Sequence, residues 1–80
     1  MEMVFIGIEK PDTMTSVEAI RRAKNIVMLQ TPFGVGEFHT EQDEPGVLVG
    51  NLDVTSGFYD AHPDGWEGKD DWVTVRMEVP

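Results

Sequence analysis

Apolar residues recur at three- and four-residue intervals along one stretch of the chain, at Ala19, Ile20, Ala23, Ile26 and Val27. That spacing puts them on one stripe of an α-helix, and the stripe must be buried against another layer of structure. Thr15-Ser16-Val17-Glu18 fits a capping box, in which the Thr15 hydroxyl accepts the amide three residues on and Glu18 reaches back to the cap amide. Pro32 forbids continuation, because it lacks an amide hydrogen and clashes with the preceding turn. The helix is therefore expected over residues 16–29.

The layer opposite reads as a sheet. Residues 3–8, Met-Val-Phe-Ile-Gly-Ile, are rich in β-branched and aromatic types and stop before Pro11 and Asp12, as a buried first strand would. Residues 35–41 and 47–54 flank Asp43-Glu44-Pro45-Gly46, where Pro45 presets φ and Gly46 takes the positive φ of a type II turn. These two segments predict a hairpin. Ser56-Gly57 punctuates the chain again, so Phe58-Tyr59 is expected as a further short strand. From 72 to 79, Val73, Val75, Met77 and Val79 alternate with Trp72, Thr74, Arg76 and Glu78, the pattern of a half-buried strand. The expectation is an α+β fold in the order β-α-β-β-β, with one helix packed on a mostly antiparallel sheet of about four strands. Residues 1–80 are expected to form one compact acidic domain.

With no cysteine the chain has no disulfide, thiolate nucleophile, Cys-ligated zinc or iron–sulfur centre, and a reducing interior is favoured. At 80 residues it lies below the usual ~100–150-residue domain size, so its stability is expected to be modest or shared with a partner. Glu2 stands where a signal peptide carries Lys or Arg, and the apolar run after it is short. Export and membrane insertion are therefore not expected, and the cytoplasm is.

Charge is the strongest functional signal. The net charge of −9 arises between residues 37 and 71, where Glu37, Glu41, Asp43, Glu44, Asp53, Asp60, Asp64, Glu67, Asp70 and Asp71 face Lys69 alone. Solubility needs a net charge of only ~2–8 in a small domain, and folding gains nothing from placing one sign in one segment. A compact chain of this length is about 30 Å across, and one side of that length of duplex shows roughly nine phosphates. The acidic segment thus has the charge of a nucleic-acid face, suited to occupying a basic protein surface. The plain alternative is a solvated surface partly paired with Arg21 and Lys24.

In size and charge the chain resembles the small acidic proteins that phages use against host defence, including anti-CRISPR and other DNA-mimic inhibitors. The resemblance is of physical type and is carried by no motif. It carries over no residue roles; the acidic hairpin and loop 60–71 themselves give the expected partner-binding set of Glu37, Glu41, Asp43, Glu44, Asp60, Asp64, Trp66, Glu67, Asp70 and Asp71. Phe58, Tyr59, Trp66 and Trp72 bracket or occupy the acidic loop 60–71, and aromatics within a polar rim are usual in binding hot spots. Trp66 is expected to be exposed; Trp72, on the polar side of its strand's alternation, is either an exposed anchor or covered by the loop, where with Phe58 it would close a small satellite core. The partner is expected to be a basic protein surface of a nucleic-acid-binding protein or complex.

Asp60, His62, Asp64, Gly65, Trp66 and Asp71 also fall at positions 1, 3, 5, 6, 7 and 12 of a loop, which resembles an EF-hand calcium loop. The resemblance covers this loop alone. His62 is a poor calcium ligand, Asp71 replaces the long bidentate Glu, and neither flank reads as a helix, so no cofactor or metal is expected. Catalysis has little to work with, since Ser16 and Ser56 lie outside any nucleophile elbow and Gly34-Val35-Gly36 follows the helix instead of preceding one. Direct nucleic-acid binding is disfavoured because the bases cluster only at Arg21, Arg22 and Lys24. Two other roles remain open: an accessory subunit of a larger assembly, and a metal-binding protein using loop 60–71.

Overall fold

The computed structural model describes residues 2–30, 34–55, 57–58 and 65–78. Pro32, Tyr59, Asp60, His62, Asp64 and Val79, each assigned a role above, lie outside the described residues. The elements run β1 (Glu2–Glu9), α1 (Ser16–Gln30), β2 (Val35–Glu44), β3 (Val47–Val54), β4 (Glu67–Lys69) and β5 (Thr74–Met77). All neighbouring strands are antiparallel, in the spatial order β2-β3-β1-β5-β4. The fold is α+β, one helix on a five-stranded sheet.

β1 lies at the centre because it can afford no polar neighbour on its inner face. Val4, Ile6 and Ile8 alternate along it and are buried, meeting Leu48, Leu52 and Val54 of β3 on one side and Val75 and Met77 of β5 on the other. From α1, the buried Ala19, Ala23, Ile26 and Val27 close this core, with Ile20 packed at its edge. Small Ala side chains let the helix axis approach the sheet while the branched residues fill the space between strands. The cap forms as expected on the Thr15 side, where the hydroxyl accepts the Glu18 amide at 3.1 Å. The Glu18 carboxylate, however, turns to Arg21 and Arg22, a gain in charge pairing over the neutral amide of a capping box.

The hairpin turn is tighter than the sequence suggests. β2 runs on to Glu44, which pairs with Val47, so only Pro45 and Gly46 form the turn. Gly46 has φ of 85°, as a type II turn demands of its third residue. The Gly46 carbonyl accepts the Lys10 amide at 3.0 Å, tying the hairpin tip to the end of β1.

Expectations at the other end of the sheet are corrected. Phe58 is not in a strand: it is wholly buried in the main core. Trp66 is half-buried, with its ring edge-on to Phe58 at 85° and 6.1 Å between centroids, a favoured aromatic geometry. Trp72 is instead the exposed one, at 60%. The fourth strand lies at Glu67–Lys69, inside the segment read as a loop, and β5 begins only at Thr74. No helix among the described residues is long and apolar enough to cross a membrane.

Gly50 is the tightest point of the sheet. A Cβ there would collide with the His39 carbonyl of β2 and stand 2.8 Å from Cζ of Phe38, whose ring lies across the bare backbone. Overpacking of this kind costs ~1–3 kcal/mol. Gly50→Ala should lower the unfolding free energy by that amount in urea titration; a loss under ~0.5 kcal/mol, the level of an ordinary surface change, would show that β2 can shift outward freely.

Candidate functional site

Of the described acidic residues between 37 and 71, Glu37, Glu41, Asp43 and Glu44 lie on the edge strand β2 and Asp53 on its neighbour β3, whereas Glu67 lies on the opposite edge strand β4 and Asp70 and Asp71 in the turn that follows it. Four strand spacings of ~4.8 Å separate those edges by about 19 Å. They do not form one continuous face, and their electrostatic states differ.

On the β4 edge Glu67 and Asp70 each meet a guanidinium. Arg76 of β5 bonds Glu67 at 2.7 Å and also pairs with Glu9 of β1. Those contacts, with Glu67 first, raise the Arg76 pKa above its ordinary value. Asp70 is held more firmly still. Its Oδ1 accepts the amides of Trp72 and Val73 at 2.7 Å each, its own amide donates to the Val73 carbonyl, and Arg22 of the helix reaches its Oδ2 at 3.1 Å. Burial pushes the Asp70 carboxyl up, but the two amides and the guanidinium outweigh burial and hold it below its usual value. Asp70 therefore shapes the β4–β5 turn and anchors the helix to it. Both guanidiniums are shared, Arg22 with Glu18 and Arg76 with Glu9, and Lys69 adds a further positive charge on the strand itself. Asp71 alone has no side-chain partner among the described residues.

The β2 edge carries no such compensation. Residues 35–54 contain Glu37, Glu41, Asp43, Glu44 and Asp53 and neither Lys nor Arg. Eight of the ten β2 residues are exposed, Val35 and Phe38 being the exceptions. Two bulges bend the strand: Gly36 and Glu37 together face Asp53, and Glu41 is an extra residue between Thr40 and Gln42. The contacts of these acids are neutral or weak. Asp43, opposite the buried Leu48, accepts the Ser16 hydroxyl at 2.9 Å on the helix side. Glu44 accepts the Gln42 amide at 2.8 Å, and Glu41 the Asn51 amide at 3.4 Å, both on the uncovered side of the sheet. Asp53 lies 3.2 Å from Nε2 of His39. Glu37 has no side-chain partner among the described residues.

The candidate surface thus contracts to the outer edge of the hairpin. Of the residues expected to bind a partner, Glu37, Glu41, Asp43 and Glu44 lie together there; Glu67 and Asp70 are paired internally, Trp66 packs inward, Asp71 stands at the far edge, and Asp60 and Asp64 are outside the described residues. The exposed Trp72, seen in the sequence but not assigned to the surface, belongs to the far edge too. Among the described residues no group of three or more His, Cys, Asp or Glu could hold a metal ion.

Because the folded-state pKa of Asp70 is depressed, its contribution to stability is complete above the ordinary value of 3.8 and is lost as pH falls through the lowered one. Asp70→Ala should cost ~1–2 kcal/mol near neutrality, as loss of a capping side chain does. The gap between wild type and variant in urea unfolding should then close as pH drops from about 5 to about 2. A gap independent of pH would mean that the charge on Asp70 contributes nothing.

No family description, curated protein or solved structure matches this chain.

Proposed function

We propose that this chain is a small acidic protein-binding module, acting without catalysis, that lays its β2 edge against a basic surface of a nucleic-acid-binding protein and occludes it. The observation that carries this reading is the uncompensated charge of β2: four carboxylates on a strand exposed at eight of ten positions, with no cation in residues 35–54. The opposite edge, where Arg22 and Arg76 pair with Asp70 and Glu67, is the internal control. We place its action in the cytoplasm, among reduced, nucleic-acid-handling machinery, in keeping with the absence of cysteine.

Charge density decides what kind of nucleic-acid mimic this is. From Glu37 to Glu44 the strand covers about 23 Å at ~3.3 Å per residue, so its four carboxylates stand about one per 6 Å. A duplex carries one phosphate per ~1.7 Å of axis and a single strand one per ~3.4 Å. The edge is sparser than either, and matches a line of a few Lys and Arg side chains that track one backbone instead of a cleft that grips a whole duplex. The molecule's largest dimension of 34 Å suits the same scale. Such an association is fast and salt-sensitive, since exposed charges are screened beyond ~10 Å at 0.1 M salt.

Capture of partners from the source cell's lysate at low and high salt tests the reading. The wild-type protein should retain a basic nucleic-acid-binding protein that elutes as salt rises and that free nucleic acid displaces. Replacing Glu37, Glu41, Asp43 and Glu44 together by Lys should weaken retention at least tenfold, about 1.4 kcal/mol, with the melting profile preserved. Asp71→Lys, at the far edge, should leave it unchanged. Equal retention by the quadruple variant overturns the proposal, and a salt-resistant complex indifferent to these charges marks the chain as an accessory subunit.

A further inference from the structure

We infer that the partner engages this edge as a strand: a basic, extended segment that pairs with the outer side of β2 and extends the sheet to six strands. The inference rests on the reading of β2 as the docking edge and adds the mode of recognition and the chemistry of the occupant. Three features of the edge lead to it.

First, among the described residues β2 has a strand neighbour on one side only, β3, so its other side presents backbone donors and acceptors of the kind that template strand addition. It is ten residues long and contains no proline. The opposite edge strand, β4, has three residues, too few to template much. Natural edges are usually blunted by brevity, Pro, bulges or charged side chains; β2 is neither short nor interrupted by Pro, and the bulges and carboxylates it carries restrict what pairs with it without covering the edge.

Second, what β2 does use is selective in sign. Carboxylates flank its backbone on both sides of the sheet, Asp43 toward the helix and Glu41 and Glu44 toward the uncovered side. Pairing with a second copy of itself would set acids against acids, and like charges directly opposite disfavour pairing. A strand with Lys or Arg at successive positions meets a carboxylate whichever way its side chains alternate. The same groups that exclude self-pairing therefore admit a basic strand, which is specificity by repulsion and attraction together.

Third, the two bulges limit where pairing occurs. They sit at Gly36-Glu37 and at Glu41, leaving Phe38–Thr40 and Gln42–Glu44 as regular stretches in register with β3. Pairing is expected along these two stretches, with Glu37 and Glu41 standing at the bends to receive basic side chains.

The probe is a ten-residue peptide of alternating Lys and Val, compared with the same peptide methylated at every backbone nitrogen, which keeps the charge but cannot donate to a sheet. The unmethylated peptide should bind at least tenfold more tightly and should slow amide exchange within Val35–Glu44. Equal, salt-sensitive binding of the two peptides overturns strand addition while leaving an acidic docking edge in place. Binding that protects amides elsewhere, or no binding of either peptide, also overturns it. Failure of the reading beneath is distinguishable, since the fourfold Lys variant would then hold its lysate partner as well as the wild type does.

Discussion

Everything in this fold hangs on the inner face of β1. Val4, Ile6 and Ile8 are flanked by β3 and β5 and covered by the helix, so one short segment supplies the floor of the core and the hydrogen bonds that join the two halves of the sheet. Fully burying side chains of this type stabilises by roughly 1.5–3 kcal/mol each relative to exposure, on the scale of the whole stability of a small domain. Surface ion pairs contribute ~0–1 kcal/mol, so the charges on the two edges are free to be arranged for purposes other than stability.

That freedom is used differently at the two edges. At β4 the strand is brief and charged, and its place is secured by side chains from afar: Arg22 from the helix to Asp70, Arg76 from β5 to Glu67, and the Phe58–Trp66 contact beneath. At β2 the backbone register with β3 holds the strand without help from ionic side chains. Its acids are left with neutral or weak contacts, and their field extends outward. Concentrated in sequence, the negative charge is unequal in space because the cations that fold toward it all fold toward one side.

The sequence showed the architecture through patterns that are local. The helix stripe, the Thr15 cap, the Pro45-Gly46 turn and the alternation of Val73, Val75 and Met77 each depend on near neighbours, and each appears in the structure. What it hid is decided by distant contacts. Glu67-Gly68-Lys69 has neither apolar period nor β-branched residues, and is a strand only because β5 offers it a partner. The roles of Trp66 and Trp72 exchange for a similar reason: Trp72 stays on the exposed side of the alternation with Val73, and Phe58 fills a place in the main core where Trp66 packs against it. Likewise the acids of the candidate surface could be counted in the sequence, but their separation into a compensated and an uncompensated group required knowing where Arg22 and Arg76 point.

The central position of β1 also sets an order of events for a chain emerging from a ribosome. β1 is made first and can gain β3 once the hairpin has been made, but its other side stays bare until β5 arrives, about 20 residues after β3 ends. At synthesis rates of ~5–20 residues per second that interval lasts roughly 1–4 seconds, long compared with the microseconds a hairpin needs to form. A chain in that interval carries an open edge at the strand that supplies the floor of its core.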